Sequence, residues 1–301
     1  MKKGILATTF AYILWGILPI YWKLLSSVSP LYILASRIVW SLGFCVLMLS
    51  MTKEWSKIKQ ICHNKRCLKL MLLASISITV NWFTYIWAVN SGHVIESSMG
   101  YFMNPLVVIL ISGLCFKEKF NKWEMLSVGL AGIGILIMII EFGKFPFVAL
   151  SLAFSFAIYG ALKKQANLEP QISLTLETAV VFPIALIYLL VSEINGTGAI
   201  GILSTAKLFL LPLTGVVTAI PLLLFGYGVK KLPFSVVGFF QYISPTLTLI
   251  LGIFVYKESF TTAHLTTFGF IWVALAIFVF SKIGIFHLKA KKEELSAKTM
   301  R

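Results

Sequence analysis

Two ionisable side chains, Arg37 and Glu177, stand inside long apolar stretches of the chain and are the first candidates for chemistry. If those stretches cross a membrane, each charge costs at least about 2.5–3.5 kcal/mol, so it is rarely kept without a partner or an aqueous cavity. Arg37 is seven residues after Pro30 and Glu177 is seven residues after Pro170, so the two charges are 140 residues apart. They could form a substrate or proton site with a charge partner, or a buried ion pair that only orders the helices.

Amide and aromatic side chains form a second group of candidates. Asn81 and Tyr85 are one helical turn apart and therefore share a face. Such groups can line a polar cavity or make hydrogen bonds between helices, and an aromatic cavity suits planar or amphipathic organic solutes and organic cations. The predicted substrate or proton pathway consists of Arg37, Glu177, Asn81, Tyr85, Trp15, Tyr101, Asn104, Gln241 and Tyr242.

Motifs for covalent, metal or nucleotide chemistry are missing from the sequence. It contains no nucleophile elbow, P-loop or dinucleotide fingerprint. Cys62, His63 and Cys67 offer only three possible zinc ligands, at a spacing unlike the usual pairs. We therefore expect no catalytic residue, no metal, no cofactor and no enzyme activity. The net charge of +15 arises from basic residues at helix ends, so it does not indicate a nucleic-acid partner.

The elements that must position these residues occur twice in the chain. Segment 100–120 aligns with segment 240–260 without a gap, at the same 140-residue offset that separates the two charges. Segment 10–16 aligns weakly with segment 154–160 at an offset of 144. A membrane chain made of two copies of one unit is typical of a secondary transporter.

The composition indicates that the folded chain is surrounded by lipid. It is 58% hydrophobic and 12% charged, with a mean hydropathy of +0.91, whereas a soluble domain has roughly 25% charged residues. One crossing of a membrane needs about 20 residues. Ten stretches are apolar and long enough: 4–25, 30–51, 68–90, 95–116, 123–141, 145–163, 172–192, 206–229, 234–256 and 262–286.

The basic residues predict the orientation. With the N-terminus in the cytosol, 21 of the 26 Lys and Arg residues lie on the cytosolic side and three on the other, as the positive-inside rule requires. Both termini and the 52–67 loop are therefore predicted to be cytosolic. Five spans per copy force the copies into opposite orientations. The predicted fold is an all-α polytopic membrane protein with ten transmembrane helices in a 5+5 inverted-topology repeat, divided into a first repeat (4–141), a second repeat (145–286) and a basic cytosolic tail (287–301).

Paired prolines predict helix breaks at equivalent positions of the two copies. Asn104-Pro105 and Ser244-Pro245 align at the repeat offset. Interruptions at equivalent positions of two halves point to a central binding site, although packing kinks are an alternative explanation.

Several short motifs, spread over residues 4–285, are similar to one known family: Ala11-Tyr12-Ile13-Leu14-Trp15-Gly16 with Pro19, Ser36-Arg37-Ile38-Val39-Trp40-Ser41, Asn81-Trp82 through Asn90, Gly100-Tyr101-Phe102-Met103-Asn104-Pro105-Leu106, Gly238-Phe239-Phe240-Gln241-Tyr242-Ile243 with Pro245, and Phe270-Ile271-Trp272-Val273-Ala274. They resemble the RarD branch of the drug/metabolite transporter superfamily, called chloramphenicol-sensitivity permeases, whose members have two EamA-type repeats. The resemblance implies a ten-helix permease of the bacterial inner membrane with a central cavity. It also implies that Arg37 and Glu177 stand where the branch has Arg and Glu, but it supplies no substrate.

The favoured hypothesis is a secondary-active permease, an exporter of small organic metabolites or drugs that works by alternating access. A proton gradient is a candidate driving force, with Glu177 as the first candidate carrier. The alternatives are a membrane-embedded enzyme and a passive channel or scaffold. The expected partners are a small organic solute, the lipid bilayer of the bacterial cytoplasmic membrane and protons. A stripe of small residues around Ala131 could also form a homodimer face, although packing within the chain is the favoured explanation.

Overall fold

The fold consists of helices alone within residues 1–91, 93–255 and 265–281, which are the residues described by a computed structural model. Nine segments in this part of the chain are long and apolar enough to cross a membrane, and Leu265–Ser281 is a shorter apolar helix. The helices are α1 (Lys2–Leu24), α2 (Pro30–Thr52), α3 (Trp55–His63), α4 (Lys65–Asn90), α5 (Val94–Phe116), α6 (Lys122–Phe142), α7 (Phe147–Ala166), α8 (Pro170–Ile194), α9 (Thr205–Leu208), α10 (Leu210–Lys231), α11 (Phe234–Phe240), α12 (Ile243–Phe254) and α13 (Leu265–Ser281).

Local sequence signals explain where several helices begin. Pro30 and Pro170 occupy the first positions of α2 and α8, where a missing N–H has no intrahelical partner to lose. The Ser29 side chain accepts a hydrogen bond from the Tyr32 backbone N–H and so caps α2. Because Pro30 and Pro170 are repeat mates, the two helices that contain the charges begin in the same way.

Helices α2 and α8 form an antiparallel pair that is joined at both ends. At one end the Tyr32 hydroxyl donates to Glu193 Oε1 at 2.5 Å. At the other end Gln171 and Lys57 both donate to Glu54, and these hydrogen bonds, that of Lys57 first, lower the pKa of the Glu54 carboxyl. Because α2 and α8 are equivalent elements of the two repeats, their antiparallel pairing is what a pseudo-two-fold axis in the membrane plane requires.

The two repeats are interlocked through their first helices. Helix α1 of the first repeat packs on α10 and α12 of the second, and α7 of the second packs on α4 and α5 of the first. Helices α2 and α10 also approach closely, because a Cβ added at Gly215 would lie 2.2 Å from the carbonyl carbon of Trp40. The predicted all-α, two-repeat fold is thus confirmed, whereas the orientation of the termini stays a prediction.

The predicted 52–67 loop contains a helix, α3, which the sequence interpretation missed. Its apolar residues Trp55, Ile58 and Ile61 are spaced by three, so they lie along one side of the helix, with lysines elsewhere on its surface. The segment is too short and too charged to be recognised as a span, but this amphipathic pattern favours a helix at a membrane surface. The proposed basic tail, 287–301, lies outside the described residues.

The paired prolines differ in their effect, and only one interrupts a helix. Pro245 has no N–H to donate to the Gln241 carbonyl. That carbonyl instead accepts a hydrogen bond from the Ser244 N–H at 3.2 Å, and the chain makes a turn at 241–242 between α11 and α12. Helix α5 continues through Pro105, so the predicted break there is wrong. Next to Pro105, the side-chain amide of Asn104 donates to the Ala153 carbonyl of α7 at 2.8 Å and holds α5 against α7.

Candidate functional site

Arg37 is half-buried on α2 and is held by residues from three other helices. Its Nε donates a hydrogen bond to the Thr218 hydroxyl on α10 at 3.0 Å. Its guanidinium carbon lies 4.8 Å from the ring centroid of Trp22 on α1 and 5.3 Å from that of Trp82 on α4. Aromatic faces attract a cation, and the attraction is stronger where water is excluded. These contacts replace part of the hydration that the Arg37 guanidinium would have in water.

Tyr85 and Tyr101 complete this group. Their rings meet edge to face with centroids 5.9 Å apart, and both phenol groups lie within electrostatic range of Arg37. They are 37% and 48% exposed, so neither ring is packed on all sides. The structure thus brings three predicted residues together. We call the group the arginine site, which consists of Arg37, Trp22, Trp82, Tyr85, Tyr101 and Thr218.

Glu177 lies on α8 and is almost completely buried, with 2% of its side chain exposed. Its carboxylate accepts hydrogen bonds from Lys163 Nζ at 2.7 Å, from the Ser173 hydroxyl at 2.5 Å and from the Tyr159 hydroxyl at 2.8 Å. The Lys163 side chain is 3% exposed and also donates to the Ser173 oxygen at 3.1 Å. We call these four residues the glutamate site.

The glutamate site satisfies the requirements of a buried ion pair. Removing two charges from water is costly, and their attraction compensates only when the geometry is good and the remaining polar atoms are hydrogen-bonded. Here Oε1 of Glu177 accepts from Lys163 and Ser173, and Oε2 accepts from Tyr159. A proton placed on the carboxylate would remove its attraction for the ammonium. The three donors thus satisfy the carboxylate in its ionised form.

Lys163 is the main residue that the sequence interpretation missed. It was counted among the basic residues of a cytosolic helix end, whereas it points inward and pairs with Glu177. A signal was available in the sequence. Helices α7 and α8 are joined by three residues, 167–169, so the end of α7 and the start of α8 lie close in space. A lysine in the last turn of α7, such as Lys163, is therefore within reach of Glu177 through its long side chain.

Arg37 and Glu177 are not partners of each other, contrary to the idea that the repeat could bring them to one point. Each lies seven residues from the start of its own helix, and the helices are antiparallel, so the charges lie on opposite sides of the midplane. Tyr32 faces Glu193 at one end of this antiparallel pair, and the contact at the other end has the same register. Arg37, five residues after Tyr32, is therefore level with about position 188, five residues before Glu193. Glu177 is therefore roughly 16 Å away along the helix axis, at 1.5 Å per residue.

A small closed cavity lies between the two sites. Glu177 and Tyr159 line it from the glutamate site, and Trp82 lines it from the arginine site. Its volume of about 10 Å³ is room for about one water molecule. Arg37 does not line this cavity, and the Trp82 ring that it contacts lies between them.

The two asparagines on the predicted pathway join helices. Asn81 on α4 donates to the Leu152 carbonyl at 2.9 Å and to the Ser155 hydroxyl at 3.0 Å, both on α7. Asn104 on α5 donates to α7 as described above. The sequence left two roles open for these amides, lining a polar cavity or joining helices by hydrogen bonds. The contacts observed are hydrogen bonds between helices.

The remaining predicted residues lie around the α11–α12 turn. Gln241 and Tyr242 form this turn and are buried. The Gln241 Oε1 and the Tyr242 hydroxyl have no hydrogen-bond partner among the described residues, and the Tyr12 hydroxyl lies beside the Gln241 side chain. Trp15 lies on α1, with its ring centroid 5.3 Å from that of Tyr12 and 5.7 Å from that of Phe225.

A continuous group of aromatic rings connects this turn with the glutamate site. Phe225 contacts Trp15 on one side and Tyr159 on the other, with centroid distances of 5.7 and 6.1 Å. Phe156 packs on the same ring at 5.5 Å. Tyr12 and Trp15 of α1 correspond to Phe156 and Tyr159 of α7 at the 144-residue offset. The interior aromatic group therefore consists largely of repeat mates.

Glu118 and Lys164 hold the α10–α11 connection near the glutamate site. The Glu118 carboxylate accepts from the Phe234 backbone N–H at 2.5 Å, and from the Ser235 N–H and hydroxyl at 3.1 and 2.6 Å. It thus caps the N-terminus of α11, where a negative charge is favourable. Lys164 Nζ donates to the Leu232 carbonyl at 2.6 Å, just after α10. The sequence interpretation placed Glu118 only at a membrane boundary.

These features define a class of protein, a membrane transporter built from two inverted five-helix repeats with polar groups between them. Residues 2–140 and 144–281 each match the EamA-like transporter family. The chain belongs to this family, and it is a RarD-type permease of the drug/metabolite transporter superfamily. It is a multi-pass protein of the bacterial inner membrane.

Several relatives match nearly the whole chain. The "Uncharacterized transporter YojE" of Bacillus subtilis is 46% identical over 287 residues, which cover 94% of this chain and 95% of that protein. "Protein RarD" of Escherichia coli is 39% identical over 282 residues, covering 94% and 95%. "Chloramphenicol-sensitive protein RarD" of Pseudomonas aeruginosa is 25% identical over 281 residues, covering 91% and 93%. A solved structure described as "Crystal structure of protein" has the same fold, with a TM-score of 0.69 at 14% identity over 91% of this chain and 96% of that one.

Proposed function

We propose that this transporter is a proton-coupled, secondary-active exporter of small organic solutes that works by alternating access. The observation that supports this proposal is the placement of two charged sites at repeat-related positions on opposite sides of the midplane. The arginine site lies near one membrane face and the glutamate site near the other. With the predicted orientation, these faces are external and cytosolic, respectively.

The two sites differ in the exposed surface of their side chains, and this difference supports the proposal of alternating access. Tyr85 and Tyr101 of the arginine site are 37% and 48% exposed, whereas the Lys163 and Glu177 side chains are 3% and 2% exposed. We propose that this conformation is open toward the arginine site. The contact between Glu118 of the first repeat and Ser235 of the second is then a closed gate on the other side. Relative rocking of the repeats would break it and expose the glutamate site.

Glu177 is the proposed proton acceptor. Protonation would abolish the attraction for Lys163 and leave a buried ammonium without its counter-ion, which favours opening of the glutamate site to water. Proton release to the cytosol would restore the pair. A cycle in which protons enter down their gradient through Glu177 drives the solute in the opposite direction, which is export.

The test uses purified protein in liposomes that contain a pH-sensitive dye and a low-molecular-weight extract of bacterial cytosol. Acidifying the outside should cause extract-dependent proton entry, and mass spectrometry should identify the solute released. Glu177→Gln should remove the extract-dependent entry, whereas Glu141→Gln, at an exposed position of α6, should behave as the wild type. Solute release that ignores the pH gradient, or an unaffected Glu177→Gln variant, would refute proton coupling at this residue.

A further inference from the structure

We infer that the arginine site binds the carboxylate of a planar organic anion, an inference that rests on the proposed transport function and names the class of its solute. A guanidinium has N–H donors on all three of its nitrogens. Arg37 uses Nε for Thr218, and its two terminal nitrogens make no hydrogen bond with any described residue. A planar fork of donors fits a carboxylate in bidentate geometry.

The indole rings leave that fork available. The Arg37 guanidinium carbon lies over the rings of Trp22 and Trp82 at 4.8 and 5.3 Å. A Trp side chain has no lone-pair acceptor, so these contacts leave the N–H donors of the terminal nitrogens to an anion. The rings also displace water, so an anion bound to these nitrogens would be attracted more strongly than at a solvated arginine.

The surrounding side chains favour an aromatic or otherwise planar body for the solute. Tyr85 and Tyr101 meet edge to face and remain partly exposed, so each offers ring surface and a hydroxyl donor. Arg37 is the only ionised group of the site, because the other members are Trp, Tyr and Thr. The nearest buried carboxylate on α8, that of Glu177, is already paired with Lys163. The charge of the site therefore disfavours the organic cations that an aromatic cavity would otherwise suit.

The phosphate of an anionic lipid offers similar chemistry, so the test must distinguish a soluble anion from a headgroup. Arg37 lies seven residues into α2, which is roughly 10 Å from the helix end. This depth suits a small solute that enters from an aqueous opening better than a headgroup at the surface.

The experiment compares two matched probes, naphthalene-2-carboxylate and naphthalene-2-carboxamide, by equilibrium dialysis against the purified wild type in a neutral detergent. The carboxylate should bind at least about tenfold more tightly, since a charge-assisted bidentate contact replaces a neutral one. Arg37→Gln should lose this preference, and Arg37→Lys should retain only part of it. Arg66→Gln, on the exposed first turn of α4, is the matched control and should keep the full preference.

Equal binding of the two probes, no binding of the carboxylate, or an unchanged preference in Arg37→Gln would overturn the inference. The comparison in the wild type does not depend on the stability of any variant. Adding phosphatidylglycerol should leave carboxylate binding unchanged, and competition would assign the site to a lipid headgroup instead. Failure of this test would leave the extract-dependent proton entry of the wild type intact, so the two proposals can fail separately.

Discussion

At the scale of single residues, the two buried charges are stabilised in different ways. Arg37 remains half-buried between indole rings and forms one hydrogen bond through Nε, whereas Glu177 is enclosed by Lys163, Ser173 and Tyr159. A carboxylate has no face that an aromatic ring attracts, so its charge needs donors and a cation. Arg37 therefore keeps two terminal nitrogens without a described partner, whereas both oxygens of the Glu177 carboxylate accept hydrogen bonds.

The ion pair of the glutamate site predicts a large loss when one partner is removed. Lys163→Met should lower the free energy of unfolding by about 3–5 kcal/mol, because Glu177 keeps a buried charge without a counter-ion. The double variant Lys163→Met/Glu177→Gln should recover most of this loss. The measurement is denaturant unfolding of the purified protein in mixed detergent.

Lys230→Met is the matched control, because Lys230 pairs with Glu169 at an exposed position, with 19% and 47% of the two side chains exposed. An exposed pair contributes about 0–1 kcal/mol. Losses of similar size for Lys163→Met and Lys230→Met would mean that the buried pair does not stabilise the fold.

At the scale of elements, close contact between α2 and α10 positions the arginine site. Thr218, which bonds Arg37, lies on the same helix as Gly215, whose carbonyl accepts from the Ser41 hydroxyl at 3.2 Å. The contact requires a residue without a side chain at this point. The interrupted α11–α12 element lies within the second repeat and is different, because a proline and a polar turn replace regular helix there.

Gly215→Ala should destabilise the protein by about 1–3 kcal/mol or more, the range for overpacking a tight contact. The new methyl would lie 2.2 Å from the Trp40 carbonyl carbon and 2.4 Å from its oxygen, and backbone atoms cannot rotate away. Gly129→Ala is the control, since a Cβ at that helical glycine meets no atom within 4 Å. Unfolding in detergent measures both variants, and equal stability of the two would contradict the packing argument.

At the scale of the whole molecule, the inverted repeat generates two related sites from one plan. The first helix of each repeat packs against the other repeat, so the halves cannot separate without breaking their interior contacts. The antiparallel α2–α8 pair places equivalent residues at equal depths from opposite faces. Small relative rotations of the halves would therefore open one face while closing the other.

The orientation of this architecture is predicted from the basic residues and can be measured by cysteine labelling. In intact cells an impermeant thiol reagent should leave Cys62 and Cys67 unmodified, because both should face the cytosol. Cys62 is exposed and should react after permeabilisation. Asn195→Cys, at the exposed opposite end of α8, should react in intact cells. Labelling of Cys62 before permeabilisation would reverse the assigned topology.

The sequence by itself determined the lipid surroundings, the two repeats and the depth of each charge in its helix. These follow from composition, self-alignment and position within an apolar run, and none depends on which helices are neighbours. The sequence placed Arg37, Tyr85 and Tyr101 in one predicted pathway, but it did not predict that the three side chains lie together. Trp22 and Thr218 gave no sequence signal, because a Trp near a helix end and a Thr within a span are ordinary membrane residues.

Only the tertiary structure decided the partners of the charges. In the sequence Lys163 resembles any basic residue at a helix end. In the folded chain its long side chain reaches from α7 to Glu177 on α8, and its ammonium is buried there. Likewise, Pro105 and Pro245 are equivalent in sequence, yet the packing of α5 on α7 keeps one helix continuous while the other is interrupted. Contacts between helices distant in the chain set these outcomes, because the free energy of a buried charge or a proline depends on what surrounds it.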